Sequence, residues 1–234
     1  MDQMISFNNV DLEQIAPVRI VDVLVNPIPL SPVARQRPVH FGAEYVRMGG
    51  QPRTVSITFA LLEMAMQTRQ QLLSDITAWA RSDQPAPLRL PNYPGRYLMA
   101  MCTALPEPSL RQWWESKLRL TFTAFDPYWL SDVEQHVACG TAFRVAGSVP
   151  PQMRIERTLT SAATNQAYSN GNQTMTFSNI PAGKLVIDLD RQLASVGGTS
   201  IMQYFSFASK FILPKTGQQT ITGTGTVYWR ERWD

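Results

Sequence analysis

A chain of 234 residues with 44% apolar and 17% charged residues is too hydrophobic for a disordered tail and too long for a disulfide-stapled mini-protein. At roughly 100–150 residues per domain it makes two small domains or one large all-β domain. Its formal net charge is +3, and of 21 basic residues only Lys117, Lys184, Lys210 and Lys215 are not arginine; such a balance does not describe a nucleic-acid coat, which gathers basic residues in runs or on one face.

The start of the chain, Met1 to Ser6, has neither the basic flank nor the apolar stretch of a secretory signal. No apolar run approaches the ~18 residues of a membrane span. The expectation is a soluble product of the cytoplasm without membrane insertion. A proline-rich joint, Asn26 to Pro32, leads into Ser31–Gly50, a stretch of little periodicity that reads as an arm carrying Arg35, Arg37 and Arg47, with Arg53 just beyond. An arm of this kind is either a solvated loop or a segment that orders against a partner. Val55, Ile57 and Phe59 then alternate as a strand. From Leu61 to Arg81 apolar residues recur at three- and four-residue steps, which predicts a helix. Thr68 followed by Gln71 fits a capping box that would start the ordered part near Arg69, and Pro85 ends it.

Further proline joints at Pro85–Pro87, Pro91–Gly95 and Leu105–Pro108 punctuate a strand of mixed pattern from Arg96 to Thr103. Leu118, Leu120 and Phe122 alternate with Lys117, Arg119 and Thr121 as a half-buried strand. After Asp126–Ser131 the composition changes. Residues 1–134 hold 12 basic and 13 acidic residues, whereas 135–234 hold 9 and 5, so a domain boundary is placed there. The second part offers strands near Ala138–Val145, Gln152–Thr158, Gln173–Phe177, Lys184–Leu189 and Thr220–Trp229, with turns at Asn170-Gly171 and Pro181–Gly183. Short strands at such spacing predict a β-sandwich or jelly roll. In the last of them Gly223 and Gly225 would let another backbone or a bulky side chain approach closely. The fold class expected is mainly β with one α-helix.

Chemistry-bearing patterns are scarce. Cys102 and Cys139 have no CxxC spacing, and His40 and His136 are the only histidines, so the expectation is two free thiols and no metal site. No nucleophile elbow, HExxH, Walker loop or GxGxxG is present, and no cofactor or catalytic residue is expected. Asp188 and Asp190, two apart on a strand, are the one pair that could bind a cation or activate a water.

The aromatic residues carry more. Trp113-Trp114 and Trp129 flank the Lys117–Phe125 strand, and Tyr228, Trp229 and Trp233 crowd the end among Arg230, Glu231 and Arg232. Such residues pack cores or make interface hot spots. Candidate partner contacts are Arg35, Arg37, Arg47, Trp113 and Trp114. A sugar-binding module used in host-surface attachment is the alternative, reading a glycan through Tyr204, Trp229 or Trp233.

The order of parts resembles a known family. A helix ending in Ile76-Thr77-Ala78-Trp79, a proline break, Leu88-Arg89-Leu90-Pro91, then Pro94-Gly95-Arg96-Tyr97, and a strand closing in Phe122 to Ser131 with Asp126-Pro127-Tyr128 are similar to the distal tail proteins (Dit) of long-tailed phages and prophages. The closing Val227 to Trp233 resembles that family's aromatic–arginine end. The resemblance implies an N-terminal β-rich domain, 1–134, with one helix, building a homo-hexameric ring around a channel through which DNA passes. It also implies a C-terminal galectin-like β-sandwich, 135–234, hung outside. Its implied partners are the tail tube protein, the tail-tip hub protein and peripheral or receptor-binding proteins, at the virion tail tip, with no catalytic residues.

Overall fold

The computed structural model describes residues 4–36, 43–62, 65–106 and 117–234. The chain divides into two compact units, Met1–Trp129 and Leu130–Asp234. Strands dominate both, as the sequence predicts.

The first unit contains β1 (Ser6–Phe7), β2 (Val10–Asp11), α1 (Leu12–Ile15), β3 (Val18–Val25), β4 (Leu30–Gln36), β5 (Ala43–Gly50), β6 (Arg53–Leu61), α2 (Met66–Ala80), β7 (Ala86–Arg89), β8 (Arg96–Ala104) and β9 (Lys117–Ala124). Antiparallel pairing runs β2–β1–β7–β8–β9–β6–β3. The alternation read from the sequence sets the register, because a one-residue slip would turn every apolar side chain outward. Val55 lies opposite Phe122, Ile57 opposite Leu120 and Phe59 opposite Leu118, and all six are buried. Helix α2 sets Ile76 and Ala80 into the same core. Its Trp79 meets Phe7 and Phe122 edge-on, at 5.9 and 6.3 Å between ring centres, and donates its indole N–H to the Val10 carbonyl at 2.9 Å.

Several expectations change here. Leu61 belongs to β6, because Val18 of β3 pairs with it and extends the ladder. The helix starts at Met66 on an extended Ala65, with no side-chain cap; Thr68 and Gln71 already lie inside it, and Gln71 bonds Asp75 one turn on, so the capping box is not used. The mixed pattern of β8 reflects two neighbours: it pairs β7 through Leu98–Ala100 and β9 from Met101 onward, with an irregularity between Cys102 and Ala104. Among the described residues of the first unit, α1 adds one helical turn to α2. The Ser31–Gly50 arm is a hairpin, with β4 laddered to β5 from Leu30↔Gly50 to Gln36↔Ala43 and a register shift between Val33 and Ala34. Pro32 and the Gly49-Gly50 pair read as breakers in the sequence, yet proline is tolerated in a strand with an open edge.

At β10 (Trp129–Ser131) the chain passes from the first unit to the second. There follow β11 (Gln135–Ala138), β12 (Ala142–Val145), β13 (Val149–Leu159), β14 (Ala163–Ser169), β15 (Thr174–Ile180), β16 (Gly183–Asp188), β17 (Leu193–Val196), β18 (Thr199–Ser200), β19 (Gly217–Thr220) and β20 (Thr226–Trp233). One antiparallel sheet runs β18–β17–β16–β13–β20–β11, and β12–β19 and β14–β15 form two ribbons. Sheet and ribbons close on one core that includes Ile155, Ile187, Val227, Phe143, Tyr168 and Phe177. The predicted strands Ala138–Val145 and Thr220–Trp229 are each broken in two by glycine-containing turns, and β14 and β17 were not foreseen.

Candidate functional site

In the first unit, β3 is the unusual element. It reads Val-Arg-Ile-Val-Asp-Val-Leu-Val, yet only Val18 is buried; Val21 is 40% and Leu24 49% exposed. Among the described residues β3 pairs with β6 alone, and β4 with β5 alone. Open ladders and exposed β-branched residues together are what another chain covers. Arg35 stands on β4 opposite Glu44, and Arg47 on β5 opposite Val33. Arg37, Trp113, Trp114 and His40 lie outside the described residues.

The second unit carries a charged face. Registers across β11, β20, β13, β16 and β17 place His136, Tyr228, Arg154, Asp188 and Leu193 in one row. Met153 and Ile155 point to the core, so Arg154 and Glu156 must take the other face. Arg154 grips Glu134 through two bonds of 2.6 and 2.9 Å, donates to Glu156 at 2.7 Å, and lies 4.8 Å over the Tyr228 ring. Lys184 adds a second cation to Glu156 at 2.8 Å. Arg230 donates to the Ser131 and Asp132 carbonyls at 2.9 and 2.8 Å, which ties the first residues of this unit to its sheet.

These contacts set the charges. The hydrogen bond from Arg154 holds the Glu134 carboxyl below its ordinary range, against the opposing effect of burial. Burial works against the Glu156 charge, but the bonds from Arg154 and Lys184 outweigh it and lower that carboxyl too. A cleft of about 270 Å³ opens beside the network, lined by Glu134, Arg154, Asp188, Asp190, Arg191 and Arg230. The carboxylate of Asp188 accepts from the Arg191 backbone N–H at 2.9 Å, and that of Asp190 from the Arg232 guanidinium at 3.0 Å. Asp188 ends β16 while Asp190 lies in the following turn, so the pair is not carried on one strand. Its oxygens serve ion pairs. Among the described residues no group of three His, Cys, Asp or Glu could hold a metal. Burial pushes both the Cys102 and the Cys139 thiol up, away from the reactive thiolate.

The three glycan candidates do not form a displayed platform. Trp229 is a core residue, 6% exposed, with its ring 4.6 Å from that of Phe143. Trp233 is half-buried at the end of β20, and Tyr204 is half-buried at the end of a short 3-10 turn. The Glu134–Arg154–Arg230 network was not singled out from the sequence. Its signal was Arg154 and Glu156 alternating with Met153 and Ile155; the partner Glu134 lies twenty residues away, beyond any local pattern.

No protein-family model and no curated protein matches the chain. Solved structures do. The Dit protein (gp 19.1) of phage SPP1, described as a paradigm of the hub adsorption apparatus in phages infecting Gram-positive bacteria, matches over 98% of this chain and 98% of its own, with a TM-score of 0.74 and 13% identity. A chain of the phage P2 baseplate in its activated conformation with Ca matches over 98% of this chain and 97% of its own, with a TM-score of 0.51 and 10% identity. At such identities it is the fold that is shared. From one end to the other, this chain resembles a phage Dit hub protein.

Proposed function

We propose that the chain is a structural, non-catalytic protein of a long-tailed phage or prophage. In this reading it is a Dit-like hub at the virion tail tip, a homo-hexameric ring that joins the tail tube protein to the tip or baseplate hub protein and lets DNA pass. Residues 1–134 build the ring; residues 135–234 form a galectin-like sandwich outside it that docks peripheral or receptor-binding proteins. The observation that carries the reading is the fold likeness to SPP1 Dit across both units.

Two physical features support it. A cyclic head-to-tail assembly joins two different patches of each subunit and buries what a lone subunit leaves open. Strand β3, with five apolar residues after Val18 and none of them buried, offers such a patch. A channel for DNA must avoid tight phosphate contacts, and the near balance of 12 basic and 13 acidic residues in 1–134 agrees with that requirement. Particles labelled with gold on this chain test the reading by electron microscopy. Gold at the tip of the tail is expected; gold on the capsid, or none on intact particles, contradicts it.

A further inference from the structure

The segment between Tyr204 and Lys215 contributes nothing to the lining of the charged cleft, and it displays the most exposed aromatic residue described. Phe207 has a relative exposure of 107%, as great as that of the side chain in an isolated extended peptide. A floppy loop would explain this cheaply, but the segment is pinned. The Ser206 N–H donates to the Thr176 carbonyl at 2.9 Å and that of Lys210 to the Thr174 carbonyl at 3.0 Å. Thr176 donates in return to the Ser209 hydroxyl at 2.9 Å, and Leu213 to the Gln173 side chain at 2.9 Å. A Ser209 to Ser206 bond at 2.9 Å closes the turn. Below it Phe205 stacks on Phe211 at 4.7 Å and meets Phe177 edge-on at 5.4 Å. The phenyl ring thus stands on a turn braced along β15, facing water without any gain to the fold.

We infer that this turn is a docking knob, and that Phe207 enters an apolar socket rimmed by carboxylates on a different, peripheral protein of the tail. The inference deepens the hub reading and rests on it. A pre-set turn loses little freedom on binding, so more of the ring's burial appears as affinity, and aromatic residues are enriched in interface cores. The acidic rim follows from charge. Lys210 and Lys215, three and eight residues after Phe207, are exposed, and no Asp or Glu occurs between Asp190 and Glu231. Two features disfavour other occupants. A membrane anchor needs a broad apolar face, and between Tyr204 and Lys215 the one other exposed large apolar side chain is Leu213, at 46%. Six of the eight residues lining the cleft beside Arg154 are charged and only Met153 is apolar, so this cleft is a poor apolar socket for a second copy.

The test is a benzophenone photocrosslinker in place of Phe207, carried by the full chain in assembled particles, with adducts mapped by mass spectrometry. The expected adduct joins position 207 to another virion protein, at an apolar pocket bordered by Asp or Glu. Binding of that protein, once identified, then falls about tenfold or more with Phe207→Ser, at unchanged melting temperature of the chain. With Lys210→Gln and Lys215→Gln, association slows about tenfold and loses its salt dependence. An adduct to a second copy, or Phe207-dependent binding of the full chain to anionic phosphatidylserine vesicles, overturns the inference, as does the absence of any adduct in particles that contain the chain. If intact particles lack the chain altogether, the hub reading itself has failed and this inference falls with it.

Discussion

Gly223 and Gly225 adopt φ values of +136° and +122°, a region that L side chains rarely enter. A Cβ at Gly223 would sit 2.5 Å from the Tyr168 ring, and one at Gly225 would sit 2.6 Å from the Glu156 carbonyl oxygen. Tyr168 is fully buried in the core of the second unit, so the ring has little room to yield. Gly223→Ala is expected to destabilise that unit by about 1–3 kcal/mol, combining backbone strain with overpacking; urea unfolding of the full chain measures it, and an unchanged midpoint would show that the ring relaxes freely. The close approach was legible in the Thr–Gly alternation. The price of that approach was not, since positive φ at both glycines ends the strand that the alternation suggested.

Strands were readable where one face is dry and one wet. Val55, Ile57 and Phe59 of β6, with Leu118, Leu120 and Phe122 of β9, show period two because the two strands pair in unbroken register along their shared length and set these residues on one buried face. The hairpin β4–β5 was not readable, since Pro32 and the paired glycines mimic a loop and neither strand belongs to a larger sheet that would demand alternation. On the charged face, strand geometry brings Arg154 and Arg230 together on adjacent strands around Glu134, and this gives the second unit a pH dependence. Glu134 and Glu156 titrate below their ordinary value of 4.5. A lowered carboxyl contributes its stabilisation above that ordinary value and loses it as pH falls through the lowered one. The second unit is therefore expected to lose stability as pH falls below about 4.5, and Glu134→Gln to flatten that loss while lowering stability at pH 7. Melting of the full chain followed by calorimetry across pH 3–7 reads both, and an acid slope identical in the variant would remove Glu134 from the account.

For the molecule as a whole, the decisive contrast lies between a well-filled interior and a flank that the fold leaves uncovered. The order of parts from Trp79 through Pro94–Tyr97 to Asp126–Ser131 was enough to expect a Dit-like layout, and the fold likeness agrees with it at 13% identity, where few side chains remain to be compared. What a sequence pattern could not single out is β3, because its apolar residues resemble those of any buried strand until their exposure is seen. Native mass spectrometry of the full chain, beside a Val21→Asp, Leu24→Asp variant, tests this most directly. Six copies in one closed species are expected for the parent chain and single copies of unchanged melting temperature for the variant; a parent that stays a single copy at every concentration, with or without its tail partners, contradicts the account.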